Sequence, residues 1–194
     1  MHPTKARLIE TTSQMLDGAD PQHIRIDDVL ATSGVAKGSL YHHFQDFPEL
    51  VEVTLISRFG RTVDATTAIM NDYTRASSSK DEFWERMHEV TVLTQNPELA
   101  HRRAERARII GMAGSSERFR VGLAVEQERL TAGIVDMIRE AQSKGWVNQS
   151  IDPRALAIFI QAYTLGRAVD DVAITHVDTQ AWNELIRTVT QPLH

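Results

Sequence analysis

The chain has 194 residues, a net charge of −5, 42% hydrophobic residues and no cysteine. That suits one large domain, or a small domain joined to a larger one, and excludes disulfides and cysteine-ligated zinc fingers. No run reaches the ~18 apolar residues needed to span a bilayer, and the opening MHPTKARLIE lacks an apolar signal segment, so a cytoplasmic protein with no membrane partner is expected.

The apolar spacing is helical throughout, and about nine helices are expected, with no strand signal or repeat. Residues 4–17 carry Leu8, Met15 and Leu16 on one helical side, with Ala6, Thr11 and Thr12 as small packing residues. Asp20-Pro21 signals a turn. Residues 27–33 form a short helix stopped by Gly34, and residues 37–44 form the next. Asp46 can cap a further helix, with Pro48 in its first turn and Glu49 at the capping-box position. That helix runs to about Tyr73, and the serines between Ala76 and Lys80 break it.

Helices follow at 81–94, ended by Asn96-Pro97, and at 98–112, ended near Gly114. A long helix over 116–144 carries Phe119, Leu123, Leu130, Ile134, Met137, Ile138 and Ala141 in one stripe. Lys144-Gly145 closes it in C-cap fashion. Asp152-Pro153 opens a helix to about Thr175, and Asp178 caps the last, about 179–190.

Residues 26–44, IDDVLATSGVAKGSLYHHF, have the layout of a helix-turn-helix. Val29, Val35, Leu40 and Phe44 can anchor the inner face, and Gly34 supplies the turn. Lys37, Ser39, Tyr41, His42 and His43 remain for the outer face. Gly38 lets backbone approach phosphates, and Arg25 and Lys5 can assist there. Residues 1–60 hold five lysines and arginines against eight acids, a net of −3. Binding by bulk attraction is thereby disfavoured, and a few placed cations must carry it.

The run Gly34-Val35-Ala36-Lys37-Gly38-Ser39-Leu40-Tyr41-His42-His43-Phe44, with Asp28-Val29-Leu30 before it, closely resembles the DNA-binding segment of the TetR family of transcriptional regulators. Residues 141–166 resemble that family's passage into two dimer-forming helices. The resemblance implies an all-α chain. It would have a three-helix DNA-binding domain with a helix-turn-helix over residues 1–47, and a helical effector-binding and dimerisation domain over 48–194. Several positions depart from the pattern: Leu30 stands for alanine, Arg25 for a capping Thr or Ser, and Thr11-Thr12 for Ala-Ala. Asp20-Pro21 replaces Gly-aromatic, and Asp46-Phe47 replaces a small polar residue plus lysine. The missing lysine removes an expected phosphate contact.

On the middle helices, where the family binds small molecules, Trp84, Met87, His88, Met112, Phe119 and Tyr163 are effector-pocket candidates. Each can equally serve as core, and Tyr163 and His88 could orient a ligand. His101-Arg102-Arg103-Ala104-Glu105-Arg106-Ala107-Arg108 reads as a solvated face pairing with nearby acids, in preference to a seat for an anionic effector. Phe159, Ala162, Gly166 and Val169, with Trp182, Leu185, Ile186 and Val189, form a candidate four-helix seam between two copies.

Adjacent His42 and His43 point about 100° apart on a helix, so no metal site is expected there, and the sequence calls for no cofactor. No Gly-x-Ser-x-Gly, phosphate-cradling loop or His-Glu-x-x-His occurs, so an enzyme is not expected. The expected function is a homodimeric regulator on a near-palindromic double-stranded DNA operator, acting as a repressor released by a small-molecule effector. Two other readings stay open. One is a dimeric helical small-molecule-binding protein whose head no longer binds DNA; the other is a small all-helical enzyme.

Overall fold

The structure, a computed structural model, describes residues 1–17 and 19–193. Among these it is all α-helical. The helices are α1 (Pro3–Leu16), α2 (Ile26–Ser33), α3 (Lys37–His43), α4 (Phe47–Ala76), α5 (Lys80–Thr94), α6 (Ala100–Gly111), α7 (Glu117–Ser143), α8 (Pro153–Gly166), α9 (Ala168–Asp171) and α10 (Thr179–Thr190). Short 3-10 turns stand at Pro21–His23, Pro97–Leu99, Met112–Gly114 and Gln191–Leu193. No helix among the described residues is long and apolar enough to cross a membrane.

The chain divides into two compact units. One is Met1–Thr62 with Ala113–Glu126; the other is Val63–Met112 with Gln127–His194. α4 and α7 each contribute residues to both.

In the first unit, α1 packs on α2 and α3. Its core is Leu8, Ile9, Val29, Val35, Leu40, Phe44 and Leu50. Burying each such side chain contributes roughly 1.5–3 kcal/mol, offset by the entropy of ordering the chain. The turn between α2 and α3 is set locally. Gly34 has φ of 65°, and its N–H donates to the Leu30 carbonyl at 3.0 Å. A side chain there would be strained. Ser33 Oγ accepts from the Val35 N–H at 3.3 Å, fixing the entry to α3.

α4 begins as the sequence predicts, with Asp46 Oδ1 accepting from the Glu49 N–H at 2.7 Å. The reciprocal bond falls one residue earlier than a capping box requires: Glu49 Oε2 accepts from the Gln45 N–H at 2.5 Å. α5 repeats this shifted pattern, with Ser79 capping and Glu82 Oε2 accepting from the Ser78 N–H at 2.8 Å.

In the second unit, Phe83, Ile109, Ile134 and Ile138 are buried. Trp84 Nε1 donates to the Trp146 carbonyl at 2.8 Å, tying α5 to the turn after α7. α7 ends in a Schellman turn: the Trp146 N–H donates to the Ala141 carbonyl and the Gly145 N–H to that of Gln142, with Gly145 at φ of 72°. Asp152 caps α8 and Asp178 caps α10, each accepting an N–H three residues on.

Two boundaries differ from expectation. α4 continues past Tyr73 to Ala76, because Thr74 is buried and its hydroxyl donates back to the Met70 carbonyl at 2.9 Å. α8 stops at Gly166 instead of running to about Thr175, and only the single turn α9 follows. Arg167 stands at the break and is buried. Its guanidinium pairs with Asp170 at 3.4 Å and lies 5.5 Å from the Trp182 ring.

Candidate functional site

α3 is amphipathic. Leu40 is fully buried, and Phe44 follows it inward as the C-cap. Lys37, Gly38, Ser39, Tyr41 and His42 are exposed; Tyr41 is 48% accessible despite its ring. These side chains therefore share the solvent side of a short helix clamped to α1 and α2. An exposed polar-aromatic face on a fixed helix can reach base edges and phosphate oxygens.

His43 turns aside, half-buried, its ring centroid 4.7 Å from that of His2 and 5.1 Å from that of His42. Partial burial, then the neighbouring His2, His42 and Lys5, push its pKa below the usual histidine value. Lys5 Nζ sits 5.1 Å from the centre of the Phe44 ring. Lys5, His2, His42 and His43 thus gather at the C-terminal end of α3, while exposed Arg25 stands before α2 with no side-chain cap bond. His2 and exposed Arg7 were not singled out by the sequence.

Three acids of this unit, Asp17, Asp46 and Glu52, are paired with arginines. Asp17 pairs with Arg58 at 2.6 Å. Asp46 and Glu52 both pair with Arg118, at 3.2 and 2.6 Å. Arg118 lies at the start of α7, far away in sequence, so a charge count over residues 1–60 omits it. Asp46, which stands where the motif would have a lysine, serves as helix cap and as a partner for this arginine.

The six effector-pocket candidates are divided between the two units. Phe119 is fully buried in the first unit, whereas the other five belong to the second. Trp84 spends its N–H on Trp146, and half-buried Met87 shares α5 with it. His88 lines a surface cleft of about 480 Å³ with Thr179, Asn183 and Arg187 of α10. The Tyr163 hydroxyl lies 3.2 Å from Thr91 Oγ1, and burial raises its pKa. Half-buried Met112 opens a 3-10 turn after α6.

The basic run of α6 is not a solvated face throughout. Arg103 is buried, its Nε and Nη2 donating to the two Asp171 oxygens at 2.7 Å each. Its Nη1 donates to the Thr94 and Asn96 carbonyls at 2.9 and 3.0 Å. Arg106 Nη2 donates to Gln161 Oε1 at 3.2 Å. That oxygen also accepts from Gln127 Nε2 at 2.6 Å, and Gln161 Nε2 donates to Thr131 Oγ1 at 3.1 Å. This inward polar ladder across α6, α7 and α8 was missed. Its signal was Gln161, a lone amide in the apolar run ALAIFIQAYTLG.

Of the seam candidates, Phe159, Ala162, Gly166, Val169, Leu185 and Val189 are exposed. Ile158, Val172 and Ile174 are exposed beside them in sequence. Trp182 and Ile186 face their own chain: Trp182 Nε1 donates to Gln95 Oε1 at 2.9 Å, and Ile186 is only 7% accessible. All four lie within one arc of about 100° on α10, with 182 and 186 toward its covered edge and 185 and 189 toward its exposed edge. Among the described residues, no group of three or more His, Asp or Glu side chains is placed to hold a metal ion.

No family model matches the chain, and no curated protein matches it. Solved structures do. GusR from Salmonella enterica is 19% identical, with 98% of this chain and 95% of that chain covered and a TM-score of 0.69. A Rhodococcus protein described as a TetR-family transcriptional regulator is 20% identical, with coverages of 100% and 99% and a TM-score of 0.67. A Mesorhizobium loti protein of the same description is 13% identical, with coverages of 98% and 94% and a TM-score of 0.72. The chain therefore has the fold of TetR-family transcriptional regulators.

Proposed function

We propose that this chain is a TetR-family transcriptional regulator that binds a DNA operator as a homodimer. The observation that carries the reading is α3: Leu40 and Phe44 hold it from within, and Lys37, Ser39, Tyr41 and His42 stand free without. Residues 1–47 serve as the DNA-binding head, with Arg25, Lys5 and His43 adding charge near phosphates and Gly38 allowing close approach. Residues 48–194 serve as the effector-binding and dimerisation body. The exposed apolar side chains of α8 and α10 support a seam between copies. A two-fold dimer presents two recognition helices to successive major grooves, so its operator is near-palindromic.

The mechanism is repression relieved by a small molecule. The effector binds better to the arrangement of the body that spaces the heads wrongly for DNA. It can shift that equilibrium only by its differential affinity for the two arrangements. Charge balance supports DNA binding more than the sequence alone does, since Arg118 engages Asp46 and Glu52.

Tyr41→Ala tests the site. Tyr41 is exposed and outside the core, so the variant should fold as the parent does. Its affinity for the protein's own promoter DNA, read by mobility shift, should fall about tenfold, the equivalent of one contact of ~1.4 kcal/mol. Unchanged affinity in a folded variant would remove Tyr41 from the interface.

A further inference from the structure

We infer that the second unit receives an organic acid, and that Arg106 on α6 is the group that takes its carboxylate. The inference rests on the reading of this unit as effector-binding and deepens it. Arg106 differs from its neighbours in the same basic run. Arg103 has both oxygens of Asp171, and on α8 Arg154 has both oxygens of Glu128. Arg106 has a single neutral partner, the Gln161 amide oxygen at 3.2 Å. Its Nε is buried with no partner among the described residues. Desolvation pushes its pKa down, and no facing carboxylate pulls it back.

A guanidinium taken from water without a counter-charge is costly. Such a cost is ordinarily kept where function needs it. Gln161 Oε1 also accepts from Gln127 at 2.6 Å, so the amide keeps a donor without Arg106. The two amides and Thr131 hold one another, and Arg106 meets them at a single bond. Arg106 is half-buried, leaving a way in from solvent.

The charge count selects the ligand class. One cation in a low-dielectric site balances one negative charge, so a monocarboxylate is matched and a phosphate dianion leaves charge uncompensated. Ile109 and Ile110, one turn along the same helix, are buried and half-buried. Half-buried Ile110, one turn from Arg106 on the same side of the helix, offers the rest of the acid an apolar neighbour.

The test is thermal unfolding of the full chain, followed by tryptophan fluorescence. All three tryptophans, Trp84, Trp146 and Trp182, lie in the second unit. Ligand-free Arg106→Met should melt about 2–4 °C above the parent, because an unpaired buried charge is replaced by apolar bulk. Benzoate or octanoate should raise the parent's melting temperature, benzamide and octanamide should not, and Arg106→Met should abolish the acid's effect. Arg106→Lys should retain part of it, which separates charge from packing. A lower melting temperature for ligand-free Arg106→Met would overturn the inference. So would a parent that responds to neither acid, or a variant that responds as the parent does. None of these readings involves DNA. Loss of operator binding with the acid response intact would sink the regulator reading alone; the reverse would sink only this one.

Discussion

Leu40→Ala should unfold the first unit and leave the second standing. Leu40 is fully buried among Leu8, Ile9, Val29, Val35, Phe44 and Leu50. Truncating a leucine in such a setting costs about 2–5 kcal/mol, from lost transfer energy and the cavity left behind. A small unit with one core has little more than that to lose. Two signals separate the units in one urea titration. Far-UV circular dichroism reports every helix, while fluorescence reports only the second unit, which holds all three tryptophans. The variant should show an early loss of ellipticity with an unchanged fluorescence midpoint, and DNA binding should vanish with the early phase. A single transition shifted equally in both signals would show that the units do not unfold separately.

The second large effect belongs to Arg103. Its side chain is 6% accessible, and that of its partner Asp171 is 12%. Its four hydrogen bonds gather α6, the end of α5 and α9. Arg103→Ala should cost about 3–5 kcal/mol, because it leaves a carboxylate and two carbonyls without their donor. Arg103→Lys should recover only part, lacking the fork that matches both Asp171 oxygens. The pair also predicts a pH dependence. Hydrogen bonding and charge from Arg103, aided by Arg167 and His176, hold the Asp171 carboxyl below the usual aspartate value. The folded state therefore binds that proton less readily than the unfolded state. The stabilisation is fully present above the unfolded pKa of about 3.9 and is lost as pH falls through the lower folded value. Fluorescence-monitored acid titration should show that component in the parent and not in Asp171→Asn.

Arg103 also marks where the sequence stops being legible. Its run of arginines looks like a solvated face, and only a partner 68 residues away reveals it as buried structure. The end of α8 was hidden for the same reason. Apolar spacing continues past Gly166, but Arg167 there is buried and Asp171 is drawn into a long-range ion pair with Arg103. The head was more legible because its determinants are local. Gly34 needs its positive φ, Asp46 caps α4, and Leu40 and Phe44 stand one turn apart, with Val29 and Val35 joining them in one core. Its charge was less legible, since the arginine that engages Asp46 and Glu52 enters from α7. On α10 the spacing showed an amphipathic helix but not which stripe its own chain would cover. Trp182 and Ile186 turned inward, and Leu185 and Val189 remained outside.

Selection from random double-stranded DNA tests the central claim most directly. The full chain should enrich a near-palindromic sequence whose half-site centres lie about 34–36 Å apart or a multiple of that. Affinity for it should fall steeply as salt rises, in proportion to the phosphates engaged. A chain that enriches no sequence, while its circular dichroism shows an intact first unit, would contradict the claim that α3 reads DNA.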